Sequence, residues 1–341
     1  MVISSNKSRK EYGKEAFEQY DRKKDEYLNP PKIKYVHIYV TRRCNIKCSH
    51  CFTDSCQTME HEMSAAEWVK IASDIGHLGV KTVHIEGGEP LIYPGIEDVV
   101  VSFVKSKVTD ILLVTNGLSA SQQRLETLRD CGLKRIAVSF DSTNPDIHNE
   151  LRDGSHQYAK NAIITAVKLG ITTRISSVLT KKSVHGLKEL IDFAVYNGVS
   201  TLNIDWFNGV GRGKTLTSLY QIKRTDKDLF RLLESAIIHF LKKGKTGMTL
   251  AVDLPGWLKP EDSFLANDSS KTHILECDAV KSQISVGPDG SVYPCFIYSH
   301  GNGSLGNLRY QTLHDILKSN TDCVEINCPI GATSHKFYYC E

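Results

Sequence analysis

Cys44, Cys48 and Cys51 place three thiols within eight residues, in the run from Thr41 to Thr53. Thiolates this close together can wrap one compact metal object. An extended apolar run, Tyr35 to Val40, precedes them, so they lie on a short loop at a strand's end. A zinc knuckle or chance clustering is the bland reading, but zinc sites usually pair CxxC with a second CxxC or HxxxH nearby, which is missing here. Three thiolates suit a 4Fe-4S cluster whose fourth iron stays open to a non-protein ligand.

Other stretches offer complementary chemistry. Glu86-Gly87-Gly88-Glu89-Pro90 is a Gly-Gly turn whose backbone can approach a ligand without Cβ collision, and whose carbonyls and Glu89 can accept bonds from a cationic amine. Thr115-Asn116-Gly117 and Ser139-Phe140-Asp141-Ser142 each end a strand-like run, and a bidentate guanidinium such as Arg152 suits a carboxylate. The alternative is that Arg152 caps or bridges nearby acids such as Asp146 and Asp153. A second cysteine set, Cys277, Cys295, Cys323, Cys328 and Cys340, surrounds a hairpin pattern turning at Gly287-Pro288-Asp289-Gly290. Four thiolates on hairpins also suit a zinc ribbon.

The order of these motifs resembles the radical S-adenosylmethionine (SAM) superfamily over roughly residues 34 to 341. That resemblance implies a cluster on Cys44, Cys48 and Cys51, SAM chelating its open iron, and reductive cleavage to a 5′-deoxyadenosyl radical that abstracts a substrate hydrogen. It implies SAM contacts from Gly87, Gly88, Glu89, Pro90, Asn116, Ser139, Arg152 and Ser177, with His50 where the family usually carries an aromatic or similar planar side chain. The turn from Asn208 to Gly213 resembles the adenine and ribose side of the pocket. The distal cysteines resemble a twitch or SPASM extension. A full SPASM tail carries more cysteines, so one auxiliary 4Fe-4S cluster is expected, with Cys277, Cys295, Cys323 and Cys328 as preferred ligands and Cys340 as a substitute. Flavodoxin or ferredoxin would be the electron donor.

Positioning these residues falls to a repeated strand and helix pattern. Strands are predicted at 35–40, 82–86, 111–115, 135–140, 171–179 and 201–206, alternating with helices that begin at a Ser64-Ala-Ala-Glu67 capping box and end at about Lys243. Six such units argue for a parallel sheet with ligands beyond its carboxyl ends. The family's open partial (β/α)6 barrel fits this count. The expected organisation is therefore α/β: a charged lead helix within 1–33, the partial barrel over 34–248, and a cysteine-rich SPASM-like domain over 249–341. Asp141, Asp205, Trp206 and Asn208 are expected to face the cavity as substrate-side residues, Asp141 in a catalytic role. Cys56 is a candidate hydrogen-atom donor, or simply a packed thiol; Cys131 reads as a small core residue.

A net charge of +3 over 341 residues gives no case for nucleic acid or an anionic membrane surface. With no run of membrane-spanning length and no signal peptide, a cytoplasmic enzyme is expected, its cysteines serving as ligands rather than disulfide partners. A ribosomally made peptide, crosslinked or epimerised, is the favoured substrate. Only about 33 residues precede the barrel, short of a leader-binding domain of about 80, and that keeps dehydrogenation or epimerisation of a sugar-type alcohol as the second reading. A redox sensor that never cleaves SAM is the remote third.

Overall fold

The computed structural model describes residues 33–55, 59–254, 272–275, 282–298, 303–320 and 335–339. The lead helix, Cys56, Cys277, Cys323, Cys328 and Cys340 lie outside the described residues.

Strands β1 (Tyr35–Tyr39), β2 (Thr82–Glu86), β3 (Asp110–Thr115), β4 (Arg135–Ser139), β5 (Thr172–Leu179) and β6 (Thr201–Trp206) are neighbours in sequence order and parallel throughout. Between them run α1 (Ala65–His77), α2 (Ile96–Lys105), α3 (Gln122–Asp130), α4 (Pro145–Arg152), α5 (His156–Lys168) and α6 (Leu187–Tyr196), with α7 (Lys227–Leu241) after β6. The capping box opens α1 as the sequence implies: the Ser64 side chain accepts from Glu67 N while Glu67 accepts from Ser64 N. Helix α4 was not anticipated. Asn144 caps it and Pro145 fills its first turn, a start signal too short to stand out in a segment that reads as rim loop.

Alternation along each strand sorts the side chains. Val36, Ile38, Val83, Ile85, Leu113, Ile136, Val138, Ile175, Leu202 and Ile204 join the buried faces of the helices in one apolar core. With the helices on that face, the sheet curls into a partial barrel around the other, where His37, His84, Glu86, Ser139, Arg174, Ser176, Asn203 and Asp205 fall at the alternate positions.

Both edges of this six-stranded unit are extended. Strand β7 (Thr249–Leu254) adds to β6 in parallel, with Thr201 opposite Thr249, so the stretch assigned to the tail from 249 onward begins as a seventh parallel strand. At the far edge β9 (Gln283–Val286) lies parallel to β1, with Tyr35 opposite Gln283, and turns back through β10 (Ser291–Tyr293) to β11 (Gly306–Asn307). Strands β12 (His335–Tyr339) and β8 (Thr272–Leu275) complete a 12-stranded sheet beyond β7. Helix α8 (Leu313–Ser319) packs Leu313, Ile316 and Leu317 into the same core. Among the described residues no helix is long and apolar enough to cross a membrane.

Candidate active site

The cysteine loop follows β1, and the loops around it fasten it from several directions. After β2, Gly88 N donates to Thr41 O at 2.7 Å and Glu89 N to Arg43 O at 2.9 Å. A Cβ on Gly88 would lie 2.1 Å from Arg43 O, so that glycine lets two loops touch as well as leaving backbone bare. After β3, the Asn116 amide donates to Asn45 Oδ1 at 2.8 Å and reaches Cys44 Sγ at 3.8 Å. The end of α4 holds the middle of the loop, where Ser49 N donates to Leu151 O and Lys47 N to the Asp153 carboxylate, both at 2.9 Å.

After β6, Arg212 closes the far side. Its backbone N–H donates to Cys51 O, its Nε to Cys48 O, and its Nη1 to Ser55 O and the Asp54 carboxylate. Gly211, at φ +58°, brings the chain so close that a Cβ would meet Phe52 O at 2.4 Å. The turn expected on the adenine and ribose side is thus also a clamp on the cysteine loop. Arg212 was missed because nothing in a glycine-rich turn marks which long side chain folds back. Glu62, also missed, takes the Thr41 hydroxyl and Arg42 N on its two oxygens.

The loop fits a cluster. Cys44, Cys48 and Cys51 form no disulfide, Thr53 Oγ1 sits 3.2 Å from Cys51 Sγ, and the amide of Asn116 approaches Cys44. Such donors stabilise thiolate sulfur and tune a cluster bound to it. Burial pushes the Cys48 thiol up to about 12, a cost that the positive charge of Arg152 offsets in part. His50 is 8% exposed with Nδ1 buried and unpaired, an acceptor or donor left over beside the third cysteine. Burial, then Arg152, lowers its pKa to about 4, so the ring is neutral.

Several rim residues sit differently from expectation. Glu89 has no exposed surface, and its carboxylate accepts from Leu91 N at 3.0 Å, Thr115 Oγ1 at 2.7 Å and Asn116 N at 2.8 Å. It ties the β2 and β3 loops together instead of presenting itself to an amine. Burial raises its pKa to about 7. Pro90 opens a short 3-10 turn that Glu89 caps.

Asp141 is 1% exposed and its carboxylate is committed to neighbouring groups. It holds Arg152 in a bidentate pair, Nε to Oδ2 at 2.5 Å and Nη2 to Oδ1 at 3.2 Å, and also accepts from Val178 N at 2.7 Å. Arg152 therefore bridges an acid, though neither Asp146 nor Asp153, and only Nη1 stays outside the pair. Burial works against the Asp141 carboxylate, but the Arg152 guanidinium keeps its pKa below the usual value. His148 stands behind the pair, accepting from Asp141 N at Nδ1 and meeting Ser155 Oγ at Nε2.

Ser139 shares the cavity-side phase of β4. Ser177 has the phase of core residue Ile175, is 2% exposed and donates to Asp141 O at 3.4 Å, so Ser176 occupies the cavity side instead. Trp206 likewise belongs to the core, stacked on Phe230 of α7 with ring centroids 5.8 Å apart. Asp205 keeps the cavity side, with Asn203 Nδ2 donating to it at 2.6 Å, and Asn208 is half-buried on the rim. Cys295 is buried directly after the hairpin, its carbonyl accepting from Ser285 Oγ, and Cys131 caps α3 against the core.

Comparison with known proteins agrees with this geometry. Residues 38–194 match the radical SAM superfamily and residues 277–341 an iron-sulfur cluster-binding domain, SPASM. The chain is 25% identical over 294 residues to the antilisterial bacteriocin subtilosin biosynthesis protein AlbA of Bacillus subtilis, covering 85% of this chain and 60% of AlbA, so it spans less than two thirds of that relative. It is 28% identical over 292 residues to GTP 3′,8-cyclase of Aquifex aeolicus, covering 79% of this chain and 84% of that one. In fold it is similar to Streptococcus suis SuiB bound to precursor peptide SuiA, with a TM-score of 0.69, 19% identity, and coverage of 93% of this chain and 71% of SuiB. A thiol loop clamped at the mouth of a partial barrel, the Gly-Gly turn beside it and these two domain matches together place the chain in the radical SAM superfamily, with the 4Fe-4S clusters and SAM that its two domains take.

Proposed function

We propose that this protein is a radical SAM enzyme that modifies a ribosomally synthesised peptide by crosslinking or epimerisation. The observation that carries the peptide is the similarity to AlbA, a bacteriocin biosynthesis protein, across 85% of this chain. When bound, the cluster and SAM supply a 5′-deoxyadenosyl radical able to take a hydrogen atom from an unactivated C–H bond. The chain's own part is placement. Cys44, Cys48 and Cys51 hold the iron, the Gly87–Gly88 backbone accepts from the SAM amine, Arg152 Nη1 offers one donor to its carboxylate, and His50, Ser139 and Asn116 border the rest. Ser176, Asn203 and Asp205 line the cavity wall where substrate would lie. Cys56 would return the hydrogen atom if the product is an epimer. The auxiliary cluster, held by Cys295 with cysteines among Cys277, Cys323, Cys328 and Cys340, would relay an electron, and flavodoxin or ferredoxin would deliver the first one.

A second reading is a small-molecule substrate, favoured by the match to GTP 3′,8-cyclase over 84% of that enzyme's length. The deciding experiment uses anaerobically reconstituted enzyme, SAM and reductant, with a peptide encoded beside the gene or with GTP. A peptide product two mass units lighter, or one carrying a solvent deuteron, upholds the first reading. Release of 5′-deoxyadenosine tied to loss of GTP, with peptide untouched, replaces it.

A further inference from the structure

One cluster of donors on the concave face has no part in the site above. His37 on β1 and His84 on β2 are direct register partners, and Glu86 lies two residues past His84 on the same face. His37 Nδ1 is 2.8 Å from Glu86 Oε1 and His84 Nδ1 is 3.8 Å from that same oxygen. All three ligand atoms fall within 4.8 Å of one another, and among the described residues no other set of His, Cys, Asp and Glu does so. The side chains are largely enclosed, at 12%, 18% and 17% exposure. The imidazoles meet edge to face, ring centroids 4.6 Å apart, and Phe296 covers His37 at 5.4 Å.

Two imidazoles and one carboxylate suit a borderline divalent ion far better than an iron-sulfur cluster. Bonds of about 2.0–2.2 Å in a tetrahedral shell separate neighbouring ligand atoms by about 3.4 Å, and the distances of 2.8 and 3.8 Å straddle that value. Three protein ligands also leave a coordination position open. We propose that His37, His84 and Glu86 form a binding site for one zinc-type divalent ion on the concave face, one residue before the Gly87–Gly88 turn and built from none of the cysteines. The open position suits an oxygen donor, either water or a carboxylate or hydroxyl of the molecule in the cavity. The ion would thereby fix that molecule's orientation beside the cysteine loop. The inference stands whether the substrate is a peptide or a small molecule.

The test uses iron-reconstituted holoprotein given one equivalent of zinc under argon, desalted, and measured for metal content and zinc X-ray absorption. About one zinc per chain is expected, with a nitrogen and oxygen shell at about 2.0–2.1 Å and imidazole outer scattering. His84→Ala and Glu86→Gln should each lower retained zinc at least about tenfold with iron content unchanged. A sulfur shell at about 2.3 Å, no retained zinc, or full retention in both variants overturns the site. If a variant loses iron or misfolds, the shell of the unaltered protein decides: imidazole nitrogen upholds the proposal and sulfur sinks it.

Discussion

On β6, Leu202, Ile204 and Trp206 turn toward the helices while Asn203 and Asp205, one step away along the same strand, turn into the cavity. The same division runs through β1, where Val36 and Ile38 flank His37, and β5, where Ile175 is followed by Ser176. One face is bound by shape and apolar area; the other keeps polar groups at some cost to stability so that a ligand can use them. A residue's chemistry alone does not say which face it serves. Its phase does, and that is why an aromatic at a rim position can be pure core.

Substitutions on the two faces should separate stability from chemistry. The largest effects belong to buried groups. Trp206→Ala should cost about 3–5 kcal/mol in denaturant unfolding, because it empties a space closed by Phe230. Asp141→Ala should cost about as much, since it strands the Arg152 guanidinium in a site only 8% exposed. If either protein unfolds like the parent, the residue is not core and the division into faces is misdrawn.

A pH series tests the layer behind the ion pair. The pKa of His148 is lowered to about 4, first by burial, while an unfolded histidine titrates near 6.5. The unfolded chain therefore takes up the proton first, and stability should fall as pH drops from 6.5 toward 4, by up to about 3 kcal/mol. His148→Gln should flatten that part of the curve, and an unchanged slope would show that other groups carry it.

Smaller effects come from the rim. Glu89→Gln places an amide N–H against one of three fixed donors, and about 1–3 kcal/mol should be lost. Asp205→Ala should change stability by less than about 1 kcal/mol while lowering product yield, because among the described residues its one fixed side-chain partner is Asn203. A large stability loss at Asp205 would move it from the cavity to the scaffold.

Much of this was legible in the sequence. Three cysteines on a loop, a Gly-Gly turn after the next strand and six alternating units gave the core and the place of its cluster, because those signals are local. Side-chain commitments between loops were not. Glu89 finds its three donors and Asp141 its arginine only once separate rim loops meet. The seventh strand also hid, because Thr249–Leu254 follows a helix that reads as the end of the series. His37 and His84 escaped notice as isolated histidines in apolar strands. Only the parallel register puts them side by side.

The pairing of β9 with β1 has a consequence for how the chain is made. Strand β1 and the cysteine loop leave the ribosome early, while the strand that covers the outer edge of β1 comes from the last quarter of the sequence. At about 5–20 residues per second, that edge stays open for roughly 12–50 s of synthesis. During that interval the loops after β2, β3, α4 and β6 emerge and can close on the cysteines, so the first metal centre can be assembled before the tail exists. The open strand edge is the hazard of the same interval. Slow codons just ahead of β9 should lengthen it, and aggregation during synthesis should rise in step.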